Sequence, residues 1–133
     1  MTVTATLDHS PARQAVLEAL GVAARNHALD LQVKLAGEQA VFLLNIDGQP
    51  REAGGMPAAS CEEFMTAAWA VADGDGAFQY GTYQSAKMTG EKAPLPPDIS
   101  VIHLQFSPRK DGARHLVARF TRSGDTCCGT CGG

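Results

Sequence analysis

Long apolar runs are missing from this 133-residue chain. No window approaches the ~18 residues that a membrane-crossing helix needs, so no integral membrane segment is expected. Met1 to Asp8 lack the basic start and apolar stretch of a secretory signal, which leads to the expectation of a cytoplasmic protein. Basic charge is also scarce. The 11 Lys and Arg are outnumbered by 14 Asp and Glu, for a formal net charge of −3. A weakly acidic chain offers no electrostatic footprint for nucleic acid.

Catalytic patterns are absent too. None of Lys34, Lys87, Lys92 and Lys110 closes a Gly-x-x-x-x-Gly-Lys-Ser/Thr loop, and that loop is what wraps phosphate oxygens with backbone N–H groups. The chain alone is therefore not expected to hydrolyse ATP. Ser60, Ser85, Ser100 and Ser107 have no nucleophile-elbow context. Asp73-Gly-Asp-Gly76 lacks the later ligands of a calcium loop and reads as a helix stop and turn. Glu62 and Glu63 suit a helix N-terminus rather than acid–base work. We expect a non-catalytic chain with no cofactor.

Cysteine is sparse and unevenly placed. Of Cys61, Cys127, Cys128 and Cys131, three fall within the last seven residues. A disulfide framework spreads its cysteines through the fold, so these read as reduced thiols. Cys128 and Cys131 make one C-x-x-C pair. A closed zinc site needs four ligands, and Cys61 and the histidines are distant in sequence. No metal is expected, and Cys127, Cys128 and Cys131 are the only weak candidates for one. His9, His27, His103 and His115 show no paired-ligand spacing and read as surface or edge histidines.

What is present is a one-domain composition. Hydrophobic residues make up 44% and charged residues 19%, enough apolar material for a core and too little charge for a disordered chain. The expected organisation is a flexible N-terminus at 1–9, one α+β domain at 10–122, and a disordered Gly/Cys-rich tail at 123–133. No repeat, heptad or linker interrupts it.

Ser10-Pro11 starts a helix, with Val16, Leu17, Leu20, Ala23 and Ala24 as its apolar stripe to about Asn26. Arg25 and His27 suit its negative end. Leu29, Leu31, Val33 and Leu35 then alternate with polar residues, predicting a strand with one buried face. Val41 to Ile46 form the next strand. A two-residue Gly37-Glu38 loop pairs Val33 with Phe42 and Leu31 with Leu44, which brings the apolar faces together. Asp47-Gly48 turns into an edge strand around Gln49–Ala53, and 54–59 read as a loop.

Ser60 and Glu63 form a capping box for a second helix, with Phe64, Ala67, Ala68 and Val71 facing inward. A weaker strand is placed at Thr82–Met88. In the last hairpin, matched apolar faces put Leu104 opposite Ala118 and His103 opposite Arg119. That register requires an odd loop, most simply Lys110-Asp111-Gly112 with Gly112 left-handed. Trp69, Phe78, Tyr80 and Tyr83 read as core and edge packing, with the Tyr hydroxyls reaching solvent. The predicted class is α+β: an antiparallel sheet of about five to six strands with two main helices packed on it.

The ordered set Leu29-Asp-Leu-Gln-Val33, Leu44-Asn-Ile-Asp-Gly48, Leu104-Gln-Phe106 and Leu116-Val-Ala-Arg119 resembles the N-terminal domain of the traffic ATPases of type II secretion, type IV pili and type IV secretion. Tyr83-Gln-Ser-Ala-Lys87 and Leu95-Pro-Pro-Asp-Ile99 resemble the conjugative branch. The likeness spans about residues 12–121 and rests on order and spacing. It implies a PAS-like fold that caps a motor domain, with nucleotide in the cleft between them. Arg119 matches the family's Val-x-Arg position, and Arg114 lies five residues earlier. Both are implied to contact nucleotide phosphate; the alternative is that Arg119 is a solvated strand residue.

The family's phosphate-binding motor domain has no counterpart in this chain. The implied partner is such a motor domain or a second copy of the chain. The implied location is the cytoplasm, peripheral to an inner-membrane secretion complex. A stand-alone PAS-like small-ligand sensor is the alternative reading.

Overall fold

The computed structural model describes residues 11–74, 76–110 and 112–123. These form an α+β fold: a six-stranded, fully antiparallel open sheet with two helices on one face. Helix α1 is Pro11–Arg25, strands β1 to β3 are Asp30–Ala36, Gln39–Ile46 and Gln49–Pro57, and helix α2 is Cys61–Ala70. Strands β4 to β6 are Gln84–Met88, Ile99–Phe106 and Arg114–Arg122. The spatial order is β3-β2-β1-β6-β5-β4, so two three-stranded meanders meet where β1 pairs with β6.

Helix α1 buries Val16, Leu20, Ala23 and Ala24, the i, i+4, i+7, i+8 stripe of an amphipathic helix. It ends in a Schellman arrangement. The Ala28 N–H donates to the Ala23 carbonyl at 3.0 Å and the His27 N–H to the Ala24 carbonyl at 3.1 Å. His27 takes the left-handed position usually given to glycine, with φ 59°. Arg122 reaches across from β6 and donates through Nη2 to the Ala28 carbonyl at 3.1 Å, so a cation closes the negative helix end.

The β1–β2 hairpin has the expected register, with Val33 opposite Phe42 and Leu31 opposite Leu44. The β5–β6 hairpin likewise pairs Leu104 with Ala118 and His103 with Arg119. Gly112 is left-handed, φ 80°, and the turn is closed by the Ala113 N–H donating to the Lys110 carbonyl at 3.0 Å.

Three local expectations are corrected. Residues 54–57 are not loop but the second half of β3. A bulge lies opposite Phe42, where the register shifts between Val41 and Leu43. Gly55 then packs so closely on β2 that a Cβ there would lie 2.7 Å from the Ala40 carbonyl oxygen. The Gly-Gly pair marks a bulge and a close approach rather than a chain reversal.

Ser60, secondly, stands at the N-cap position of α2 but makes no side-chain capping bond. It belongs to a 3-10 turn, Ala58–Ser60, that runs directly into α2. Its backbone is already helical (φ −88°, ψ −6°) and its side chain caps nothing, because an N-cap residue needs extended backbone. Third, β4 is shorter than the reading of Thr82–Met88 and begins at Gln84. The Gln84 side chain is turned back to hold the preceding segment, accepting from the Gln79 N–H at 2.8 Å. The expected helix start at Ser10, the Gly/Cys-rich tail from 124 onward, Asp75 and Asp111 lie outside the described residues.

The core lies between the sheet's inner face and the helices. Leu31, Val33, Leu35, Ile102, Leu104, Phe106, Leu116 and Ala118 are buried, as are Phe64, Met65 and Ala68 of α2. Among the described residues, no helix is long and apolar enough to cross a membrane.

Candidate functional site: the open face of the sheet

Strand alternation sends odd and even positions to opposite faces. The residues that alternate with the core therefore line the sheet's other face, which neither helix covers. Lys34 and Gln32 come from β1, Arg119 and Val117 from β6, and all four line one broad groove of about 1090 Å³. Arg114 lines it too. Both arginines singled out in the sequence are exposed there.

The two arginines are not side by side. Arg119 lies opposite Asp30 and Arg114 opposite Lys34, four residues apart on β1, or roughly 13 Å at the rise of a strand. A nucleotide-sized ligand can touch both.

A second groove on the same face, about 600 Å³, is lined by Ser85, Lys87, His103, Gln105, Arg119 and Thr121 among others. Here the strand order matters. It sets β4 beside β5 and β5 beside β6, so Lys87 lies directly opposite His103, and His103 directly opposite Arg119. Among the described residues, none of Lys87, Arg114 and Arg119 has an ion-pair partner. Asp30 flanks Arg119 on the far side and accepts instead from Gln32 Nε2, at 3.1 Å.

His115 departs from the expectation of a surface or edge histidine: it is fully buried. The reason is a bulge. The β1–β6 register shifts between Val33 and Lys34, so Arg114 and His115 together oppose one residue, and such a bulge re-aims a side chain. His115 Nε2 lies 2.7 Å from the Tyr80 hydroxyl, so that hydroxyl is taken up by a buried partner rather than by solvent. Nδ1 makes no hydrogen bond of normal geometry. Burial pushes the imidazole pKa below its ordinary value, and the nearby Ser107 and Pro108 carbonyls offset this only in part.

Cys61 is buried at the start of α2, and burial pushes its thiol pKa up, with Arg109 opposing. That is the opposite of an activated thiolate. Burial raises the Tyr80 hydroxyl as well, ahead of the charge effects of Cys61, Arg109 and Glu62. The directions at Cys61, Tyr80 and His115 all favour the neutral forms.

The remaining aromatic residues divide. Trp69, Phe78 and Phe106 pack together with ring centroids 5.0 to 5.8 Å apart, whereas Tyr83 is 81% exposed. Asp73 ties the end of α2 to β4 by accepting from the Thr89 N–H and hydroxyl, in keeping with its reading as a helix stop. Among the described residues, no group of three His, Cys, Asp or Glu could hold a metal ion. Cys127, Cys128 and Cys131 lie outside the described residues.

Sequence reasoning singled out Arg114 and Arg119, which the structure places on the open face, and did not single out Lys87, which lies in line with Arg119 through His103. Its signal was present, since Lys87 and His103 are both polar positions in alternating strands, but their pairing depends on strand order. No protein-family model matches the chain, and no curated protein matches it.

Proposed function

We propose that the chain is a non-catalytic assembly domain similar to the front domain of the secretion and conjugation traffic ATPases. The single observation that carries this reading is the placement of Arg114 and Arg119 on the sheet face that neither α1 nor α2 covers, without ion-pair partners among the described residues. Cations exposed on a broad concave face suit phosphate oxygens, which arginine engages with several donors in a fixed fork. In this reading the open face turns toward a motor domain that supplies the phosphate-binding loop. The helices form the outer side, in a PAS-like arrangement. The chain works in the cytoplasm at the periphery of an inner-membrane secretion complex and hydrolyses nothing alone.

The test is titration calorimetry of the purified chain against a traffic-ATPase motor domain from the same genome, with and without a non-hydrolysable ATP analogue. Saturable binding strengthened by nucleotide supports the reading; absence of binding in both conditions removes it.

A second reading, a stand-alone sensor of small apolar ligands, is favoured by one feature. An open groove of about 420 Å³ runs between α1 and the β2–β3 end of the sheet, lined by Ala19, Val22, Phe42, Met56 and Phe64 among others. Ligand sites are concave and mostly apolar. A stoichiometric small molecule retained in native mass spectrometry would shift the balance to this reading.

A further inference from the structure

We infer that Lys87, His103 and Arg119 form one recognition row for an oligophosphate, a ligand with two or more adjacent phosphate groups, which the chain binds without a motor domain. The inference deepens the reading of Arg119 given above and rests on it only in requiring that Arg119 face an anion.

The register carries the argument. Lys87, His103 and Arg119 are direct cross-strand neighbours on β4, β5 and β6. Two strand spacings separate the outer pair, about 10 Å between backbones, and long side chains can converge over that span. Lys87 and Arg119 flank the His103 ring with no carboxylate paired to any of the three among the described residues. An anion lying along the row can meet both cations at once.

The groove also supplies uncharged donors, the Ser85 and Thr121 hydroxyls and the Gln105 amide, as a multi-oxygen ligand requires. The row has a defined end. Asp30 is the next residue beyond Arg119 across the sheet, and a carboxylate there repels phosphate. Arg114 pairs across to Lys34 instead and stands outside the row. Several adjacent phosphates match three donors in line better than a single phosphate does.

The experiment is calorimetry and thermal unfolding of the full chain with sodium tripolyphosphate, against sulfate at matched ionic strength. One saturable site and a rise in Tm with tripolyphosphate are expected, with neither from sulfate. Lys87→Gln, His103→Gln and Arg119→Gln should each weaken binding about tenfold, the scale of one charge-assisted hydrogen bond. Arg25→Gln, which removes an exposed cation at the end of α1, should leave it within about twofold, as expected for a distant site.

Absence of saturable tripolyphosphate binding overturns the inference. So does an equal loss in Arg25→Gln, which would mean diffuse charge attraction. If the row fails but nucleotide-loaded motor domain still binds in an Arg119-dependent way, only the row is wrong. If the row binds while the motor domain does not, the proposed assembly role is wrong.

Discussion

The two faces of this sheet come from the same strands and obey different rules. On the inner face, Leu31, Val33, Leu104 and Phe106 are buried beneath two helices. On the outer face, Lys34, Lys87, Arg114 and Arg119 stand in open grooves without ion-pair partners among the described residues. Residues one step apart in sequence thus differ in what they can contribute. The inner set holds the fold together through area removed from water. The outer set adds little to stability, because an exposed side chain away from special features changes it by less than about 0.5 kcal/mol. What it offers instead is electrostatic potential, which acts on partners.

The two histidines of the last hairpin show the same contrast. His103 lies on the open face beside Arg119. His115 lies on the next strand, turned by a bulge into the core against Tyr80. The same hairpin thus leaves one imidazole on the open face and seals the other in the core.

The largest effect should come from the inner face. Phe106→Ala removes a fully buried ring that packs against Trp69 and Phe78, and should cost about 3–5 kcal/mol in urea unfolding. The paired change Arg119→Ala should cost less than about 0.5 kcal/mol. Equal costs would erase the distinction between the faces.

Next is the buried histidine. Its folded pKa lies below 6.5, the ordinary value. Below pH 6.5 the unfolded chain therefore takes up a proton that the folded chain resists. Stability present above pH 6.5 should fall as the solution is acidified and level off once pH passes the lowered folded value. Urea midpoints measured between pH 8 and 5 should show this slope. In His103→Gln, which leaves the buried ring in place, the slope should persist.

A smaller effect is expected at the helix end. Arg122→Met keeps most of the stem and removes the donors to the Ala24 and Ala28 carbonyls, costing about 1–2 kcal/mol. Smallest of all is Ser60→Ala. A working N-cap is worth about 1 kcal/mol. Ser60 caps nothing, so its loss should stay below about 0.5 kcal/mol.

Much of the inner face was legible in the amino-acid sequence because alternation and loop length are local signals. They place Leu31 opposite Leu44 and Leu104 opposite Ala118, as the pairing shows. The failures occur where a local pattern carries two meanings. Gly54-Gly55 serves a bulge as readily as a loop. Ser60 and Glu63 have capping-box spacing, but the preceding 3-10 turn had already set Ser60 in helical backbone. His115 looks like an outward strand position until the extra residue in the β1–β6 ladder is known. On the outer face, Arg119 was legible from alternation, whereas Arg114 was singled out by the family resemblance and faces outward only because of the bulge in the β1–β6 ladder. The row through Lys87 was not legible, since it depends on which strands are neighbours and no window of sequence contains that.

The central claim is that the open face is the one that meets a partner. Amide and side-chain NMR shifts of the labelled chain, recorded as a nucleotide-loaded traffic-ATPase motor domain is added, report this directly. The account predicts shifts concentrated on Lys34, Arg114, Val117 and Arg119, with Glu18, Glu62 and Glu63 on the helical side unmoved. Shifts confined to the helices, with the outer face silent, would contradict it.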